Sequence, residues 1–429
     1  MAEQQRRPAP VPVGVRDLLR IPDFRRLFIA QAVSDIGDGM TYLALFLLVL
    51  NLTGSTALIA LMSILVALPP VTIGLFAGAW ADRTDRRRIM LASDSARAVL
   101  VAAMVLFVTK DGIPALFALA CLQSVVGTFF SPARSALVPK VVPADGLLAA
   151  ASLSQSTRMV AGVIGATVTG TVAAAAGSVW PVFLVDAATF LFSVAVVYRL
   201  GRHVGAPDAT AAAQIKAGGM GAAVADGLRV VRRSPQLIAA MGGVAVTMLG
   251  IGAINVLFVP FLVRELNGSP AWLGPMEAAQ TVSMVLAGGL LATLAARFRV
   301  SSLLVGGIVG TAVCVGLMGL APAPWAMLVL SFSVGWFVMP VQASTMTIVA
   351  QATTDATRGR VAGALNAVMQ TASIASMAAA GVLADVVGMR TVFIAGGAVA
   401  GLAALVAWLL FRSAPAAAAA DQEGELAAA

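Results

Sequence analysis

Charge is scarce in this sequence, and so are the side chains on which most enzymes depend. Only 11% of the 429 residues are charged, whereas soluble domains carry roughly 25%. His203 is the only histidine, which excludes most zinc sites and Ser-His-Asp catalysis. The Gly-Lys dipeptide of a phosphate-binding loop is absent, which excludes a built-in ATPase. We therefore expect a protein that is not an enzyme and that uses no metal or organic cofactor.

Cysteine is rare, and the basic residues do not form one surface. Cys121 and Cys314 lie far apart inside apolar runs, so neither a disulfide framework nor a thiolate metal site is predicted. The net charge of +8 would suit a nucleic-acid-binding protein, but the basic residues are distributed over alternate loops. We therefore expect no nucleic-acid partner.

Long apolar runs are what this sequence has in abundance. Hydrophobic residues make up 59% of the chain, and the mean hydropathy is +0.93. A helix needs about 20 apolar residues to cross roughly 30 Å of hydrocarbon. We predict an all-α membrane protein with twelve transmembrane helices in the lipid bilayer, at residues 27–50, 57–81, 89–109, 113–131, 147–175, 180–199, 237–263, 271–296, 301–320, 324–345, 360–384 and 390–411.

The distribution of lysine and arginine predicts how the chain is oriented. If the N terminus is inside the cell, only three of the 28 basic residues fall in outer loops, namely Lys110, Arg264 and Arg390. Cytoplasmic loops of membrane proteins carry an excess of Lys and Arg, so both termini are predicted to be cytoplasmic. We expect a multi-pass protein of a prokaryotic cytoplasmic membrane that works as a monomer.

An Ala/Gly-rich connector divides the spans into two groups of six. The predicted units are a cytosolic tail (1–26), an N-terminal six-helix bundle (27–200), a cytosolic linker (201–235), a C-terminal six-helix bundle (236–412) and a disordered cytosolic tail (413–429). Short motifs recur in order, as Leu52-Thr-Gly54-Ser does in Leu266-Asn-Gly268-Ser. Such recurrence predicts two parallel six-helix repeats.

A charged cluster between the second and third spans carries a family resemblance. It reads Gly78-Ala-Trp-Ala-Asp82-Arg83-Thr-Asp85-Arg86-Arg87-Arg88. With Ser34-x-x-Gly37-Asp38, Phe130-Ser-Pro132-Ala-Arg134 and Asp186-Ala-Ala-Thr-Phe190, it resembles the major facilitator superfamily, and within it the branch of macrolide-efflux proteins and enterobactin exporters. The resemblance implies a secondary transporter whose halves rock about a central site.

The resemblance also implies that this cluster is a conformational latch. Gly78 would let the second span approach the eleventh closely, and Asp82 would sit at the positive N-terminal end of that helix. The remaining predicted members would pair with acids or with one another; they are Arg83, Arg86, Arg87, Asp94 and Arg97. A structural turn with a helix cap is the alternative.

Four acids inside predicted spans are candidates for proton coupling or cation binding. They are Asp35, Asp38, Asp186 and Glu277. A charge at the bilayer centre costs roughly 2.5–3.5 kcal/mol, so its presence suggests a task. A buried carboxyl can carry a proton or bind a cationic substrate, and these uses exclude each other. The alternative for each acid is a hydrogen-bonded structural carboxyl. Arg158 either pairs with one of these acids or reaches the cytoplasmic face.

Uncharged amides within the spans are candidates for the lining of a substrate cavity. They lie on spans that the resemblance places around the central cavity: Gln31, Asn255, Gln280, Gln342, Asn366 and Gln370. We expect proton-driven export of a mid-sized amphipathic compound, such as a drug, a macrolide or a siderophore. Uptake or proton-independent transport of a metabolite is one alternative. A membrane receptor on a transporter fold is another.

Overall fold

The structure is a computed structural model that describes residues 14–201, 229–232, 234–353 and 355–413. Most of the predicted cytosolic tails and linker therefore lies outside the described residues. In the described part every regular element is helical, and twelve helices are long and apolar enough to cross a membrane.

These twelve helices follow a short N-terminal helix, Val15–Arg20. The first six are α1 (Pro22–Thr53), α2 (Thr56–Arg83), α3 (Arg86–Met104), α4 (Ile113–Val141), α5 (Leu147–Ala176) and α6 (Trp180–Tyr198). The second six are α7 (Pro235–Glu265), α8 (Leu273–Arg297), α9 (Val300–Met318), α10 (Pro324–Gln351), α11 (Asp355–Val387) and α12 (Met389–Ser413).

Local chemistry explains where several of these helices begin and end. Pro22 starts α1, and Gly54 ends it in the left-handed conformation with φ of 71°. The Ser55 hydroxyl caps α2 by accepting the Leu58 amide at 3.3 Å. Asp85 caps α3 by accepting the amides of Arg87 and Arg88 at 2.9 and 3.2 Å. The charged cluster is therefore a helix boundary.

Two spans differ from their predicted shapes. Helix α4 continues to Val141, past the predicted end at 131, and includes Pro132 and Pro139. Arg134, which the span boundaries placed in a loop, therefore lies on a helix. Helix α7 is irregular, because a π-helical turn over Phe261–Glu265 follows Pro260. Proline has no amide hydrogen to donate, so the regular pattern is easily lost beside it.

Helix packing confirms the two predicted six-helix repeats. In the first half, α1 packs against α5 and α6, while α4 packs against α2 and α3. In the second half, α7 packs against α11 and α12, while α10 packs against α8 and α9. The pairs α3–α6 and α9–α12 complete the correspondence. The two halves meet mainly along α2–α11 and α5–α8.

The two halves touch at one end and separate at the other. Thr56 at the start of α2 donates to the Asp385 carboxylate at 2.5 Å and to the Gly381 carbonyl at 3.2 Å. Arg264 at the end of α7 donates to the Gly54 carbonyl. At the opposite end of α2, no described atom lies within 4 Å of a Cβ built on Gly78. In the predicted orientation, the end that holds these contacts faces the outside of the cell.

In this conformation α2 and α11 approach each other closely at Gly381, where an added Cβ would overlap Ala60, whereas a Cβ on Gly78 would meet no described atom within 4 Å. We predicted the latch contacts at Gly78 for the state in which the cytoplasmic side is closed, so they stay a prediction.

Candidate functional site

A cavity of about 800 Å³ opens within the N-terminal half. Ligand pockets usually measure roughly 300–1,000 Å³, so this one can hold a mid-sized molecule. Its walls come from α1 to α5 and are partly apolar, with Tyr42, Leu45, Val66 and Phe130 among the lining residues. Its charged lining residues are Asp35, Asp38, Arg97, Arg134 and Arg158.

Asp38 and Arg97 form an ion pair at the wall of this cavity. Nη2 of Arg97 on α3 donates to Oδ1 of Asp38 on α1. The Asp38 side chain is 36% exposed, whereas that of Arg97 is only 9% exposed. The Arg97 guanidinium also lies over the Phe190 ring, 4.1 Å from its centroid. The Phe190 ring thus packs against the Arg97 guanidinium on one side, and Asp38 is its partner at the wall of the cavity.

Asp94 lies behind this ion pair and is fully buried. One of its oxygens, Oδ2, accepts the Ser193 hydroxyl at 2.5 Å. The other, Oδ1, lies 3.9 Å from Nη1 of Arg97 and has no hydrogen-bond partner among the described residues. Asp94 and Arg97 therefore belong with Asp38, in the middle of the bundle, rather than with the charged turn to which we assigned them.

Asp186 is the third acid beside Arg97, and it is fully buried. Its Oδ2 accepts the Thr41 hydroxyl at 2.6 Å, and its Oδ1 accepts the Thr189 hydroxyl at 3.0 Å. Arg97 interacts electrostatically with Asp38, Asp94 and Asp186. We call these four residues the acid–arginine cluster.

Asp35 and Glu277 approach the same cavity from opposite halves. Gln31 donates to Oδ2 of Asp35 at 3.0 Å, so both of these predicted residues line the cavity together. Glu277 is on α8, and its Oε1 lies 3.8 Å from a Cβ built on Gly162, a lining residue of α5. The structure therefore brings Glu277 to the edge of the cavity.

The remaining predicted amides do not line this cavity. Gln280 is half-buried on α8. Four others are exposed on the C-terminal helices: Asn255, Gln342, Asn366 and Gln370. Their role in binding cargo remains a prediction.

The arginines of the charged turn contact helix ends. Arg86 donates to the Ala136 carbonyl on α4 at 3.4 Å. Arg87 donates to the Val197 and Tyr198 carbonyls of α6 at 3.3 and 2.5 Å. Carbonyls at helix C termini carry partial negative charge and so attract these guanidiniums, while the predicted pairing with acids stays a prediction. Arg83 is exposed, and the side chains of Asp82, Arg358 and Arg360 lie outside the described residues.

Sequence reasoning missed Arg134 as a lining residue, and left Arg158 undecided. Both line the cavity and interact electrostatically with Asp35. Arg134 was missed because the span was ended too early. The available signal was the motif around Phe130 and Pro132, in which it lies.

Comparisons with known proteins agree with this architecture. The family described as a transmembrane secretion effector of the MFS type matches residues 17–427. Uncharacterized MFS-type transporter YfiS of Bacillus subtilis is 28% identical over 385 residues, which cover 86% of this chain and 88% of that protein. Multidrug efflux pump Tap of Mycolicibacterium fortuitum is 25% identical, with 86% of this chain and 91% of that protein covered.

Further similarities come from an efflux protein and from solved structures. Macrolide efflux protein A of Streptococcus pyogenes is 27% identical, with 66% of this chain and 69% of that protein covered. The crystal structure of the nucleoside transporter NupG (D323A mutant) has a TM-score of 0.76 at 12% identity, with 91% of this chain and 100% of that chain covered. A bacterial homologue of the iron transporter ferroportin in an inward-facing state has a TM-score of 0.72 at 15% identity, with 92% and 99% covered. With its twelve membrane helices, its two repeats and a family match over nearly its whole length, this chain belongs to the transmembrane secretion effectors of the major facilitator superfamily.

Proposed function

We propose that this protein is a proton-coupled exporter of an amphipathic small molecule, in the cytoplasmic membrane of a prokaryote with both termini in the cytoplasm. The observation that carries the proposal is the acid–arginine cluster beside the cavity. The printed names of two relatives, macrolide efflux protein A and multidrug efflux pump Tap, support export as the direction.

The charge balance of the cluster favours proton binding. Three carboxyls surround one guanidinium, so full ionisation would leave two negative charges uncompensated in the interior. A low-dielectric environment makes such charges costly. Asp94 has a buried oxygen without a hydrogen-bond partner among the described residues, which is where a proton can reside. Binding of a proton to one of the three carboxyls reduces this excess of negative charge.

Asp38 connects this cluster to the cargo. It is the half-exposed member, and it lines the cavity while paired with Arg97. When Asp38 takes up a proton, the ion pair weakens and Arg97 turns to Asp94 and Asp186, which lie behind it. Cargo and proton thus act on the same α1–α3 contact, and this shared contact couples proton entry to cargo exit.

The test is a proton-flux assay in inside-out vesicles that contain the protein. The vesicles are energised so that their interior is acidic, and a pH-sensitive dye follows the gradient. Erythromycin, ethidium and taurocholate are added in turn, and their accumulation is measured in parallel. We expect any compound that accumulates to release protons from the vesicles. Accumulation without proton release, relative to vesicles that lack the protein, would exclude proton coupling.

The outer contacts between the halves yield a second prediction. Asp385→Ala removes the charged one of the two acceptors of the Thr56 hydroxyl and should favour opening of the outer side. A hydrogen bond to a charged group contributes about 1.5–3 kcal/mol, so the ratio of outward-open to closed molecules should rise about tenfold or more. The readout is labelling of Ala57→Cys by a membrane-impermeant maleimide in a variant without Cys121 and Cys314. Asp111→Asn, an exposed acid of a predicted outer loop, is the control. Equal labelling rates in both variants would contradict this function of the contact.

A further inference from the structure

We propose that the mouth of the cavity binds an anionic group between Arg134 and Arg158, so that the cargo is an amphipathic organic anion or zwitterion. The inference rests on the proposed function only in taking this cavity as the cargo site. It assigns a substrate class that neither the fold nor the similarities to other proteins provide.

Two arginines of the cavity lining carry the inference. Arg134 is half-buried on α4, Arg158 is exposed on α5, and both line the cavity. Among the described residues, neither guanidinium makes a hydrogen bond or an ion pair within 4 Å. Both guanidiniums are therefore available to a ligand in the cavity, and the planar fork of arginine matches the two oxygens of a carboxylate, phosphate or sulfonate.

The charges around the two arginines leave the mouth positive. Arg97 is already engaged by Asp38, so Asp35 is the acid of the cavity lining that faces Arg134 and Arg158. Asp35 also accepts a hydrogen bond from Gln31. Glu277 approaches Gly162, one turn along α5 from Arg158, but it belongs to the other half and makes no ion pair with a described residue here. Asp94 and Asp186 lie behind Arg97 and do not line the cavity, so among the lining residues one acid, Asp35, faces two arginines, and one anion would complete the balance.

The rest of the cavity suits an apolar body attached to that anion. Lining residues on α1 change from the polar Gln31 and Asp35, through Asp38, to the more apolar Tyr42 and Leu45. Asp35 and Leu45 are ten positions apart on the helix, which is roughly 15 Å. A molecule with its anionic group at the arginines can therefore extend its apolar part past Tyr42.

An anionic group could come from a soluble cargo or from the head group of a lipid. The shared chemistry is an oxyanion on an apolar body, and the experiment separates the two sources. Full-length protein is placed in nanodiscs of phosphatidylcholine, or of phosphatidylcholine with phosphatidylglycerol. Three probes share one apolar body and differ only in the head group: 1-pyrenebutanoate, 1-pyrenebutanol and 1-pyrenebutylamine. Energy transfer from tryptophan to pyrene reports binding at pH 7, in the absence of any proton gradient.

We expect the butanoate to bind about tenfold more tightly than the alcohol, and the amine to bind most weakly. Arg134→Gln and Arg158→Gln should each weaken butanoate binding about tenfold, as loss of a charge-assisted hydrogen bond implies. Alcohol binding should stay unchanged, which shows that the variants fold. Arg299→Gln, an exposed arginine between α8 and α9, is the matched control and should bind like the wild type.

The outcomes decide both the site and the source of the anion. If butanoate binds more weakly in the nanodiscs that contain phosphatidylglycerol, the lipid competes for the site and the natural anion is a lipid head group. If butanoate binds equally in both kinds of nanodisc, the site belongs to a soluble cargo. Equal binding of the three probes, or preference for the amine, would overturn the proposal. Because binding is measured without a gradient, failure of proton coupling in vesicles would leave this result intact, so the two proposals can fail separately.

Discussion

Asp38→Asn should abolish cargo-driven proton flux while the protein remains folded and inserted. Asparagine has nearly the same shape as aspartate, but it neither ionises nor carries a proton between the two sides. Arg97 stays compensated because Asp94 and Asp186 remain beside it, so the fold should survive. The measurement is the dye assay in inside-out vesicles, with a compound that the wild type accumulates.

Exchange of labelled cargo in the absence of a gradient distinguishes lost coupling from lost binding. We expect Asp38→Asn to retain this exchange, because the substitution leaves the packing of α1 in place and the two halves can still alternate without a proton. Asp23→Asn is the control, since Asp23 lies at the start of the same helix and only pairs with Arg26 at 3.0 Å. Proton flux at the wild-type rate in Asp38→Asn would show that this carboxyl does not couple transport to protons.

Gly37→Ala should destabilise the N-terminal half and reduce transport. A Cβ on Gly37 would overlap both the Asp186 carboxylate and the Thr189 hydroxyl. Asp186 is fully buried and holds two hydrogen bonds there, so it has little room to move. Overpacking of this kind costs about 1–3 kcal/mol. We expect a lower melting temperature for the purified protein, measured by tryptophan fluorescence.

Gly39→Ala is a matched control for this effect. It makes the same change two positions away on the same helix, but its Cβ would meet the nearest atoms at 3.7 Å, an ordinary contact. The gain in helix propensity is equal in both variants, so their difference isolates the overlap with Asp186 and Thr189. Asp186→Ser should remove the overlap with the carboxylate and leave that with the Thr189 hydroxyl, so Gly37→Ala should cost less in that background. Equal melting temperatures for Gly37→Ala and Gly39→Ala would contradict the packing argument.

The spans and the repeat were accessible from the sequence because each depends on local properties. A membrane helix satisfies its own backbone hydrogen bonds, so its length and hydropathy largely determine whether it forms. The predicted spans agree with the twelve helices, with differences at their ends. The end of α4 was missed because Arg134 interrupts the apolar run, although the cavity gives its charge a polar environment.

The sequence predicted the partners of buried side chains only in part. Asp94 and Arg97 are three positions apart on one helix, which suggested a local pair. In the structure their carboxylate and guanidinium are 3.9 Å apart, and the direct hydrogen bond of Arg97 goes to Asp38 on another helix. Which acid Arg97 contacts depends on how α3 is rotated about its axis, and that rotation is set by packing against the neighbouring helices. No pattern within a single span contains that information.

The charged cluster from Gly78 to Arg88 shows the division between sequence and tertiary structure most clearly. Its composition alone determined that a water-exposed helix boundary lies there, because so many charges cannot enter hydrocarbon. Only the tertiary structure decided that Arg86 and Arg87 contact carbonyls of α4 and α6, and that Gly78 lies away from α11 in this conformation. The reason is physical: solvation of a segment follows from its own residues, whereas the gap between two halves depends on how every helix in each half packs.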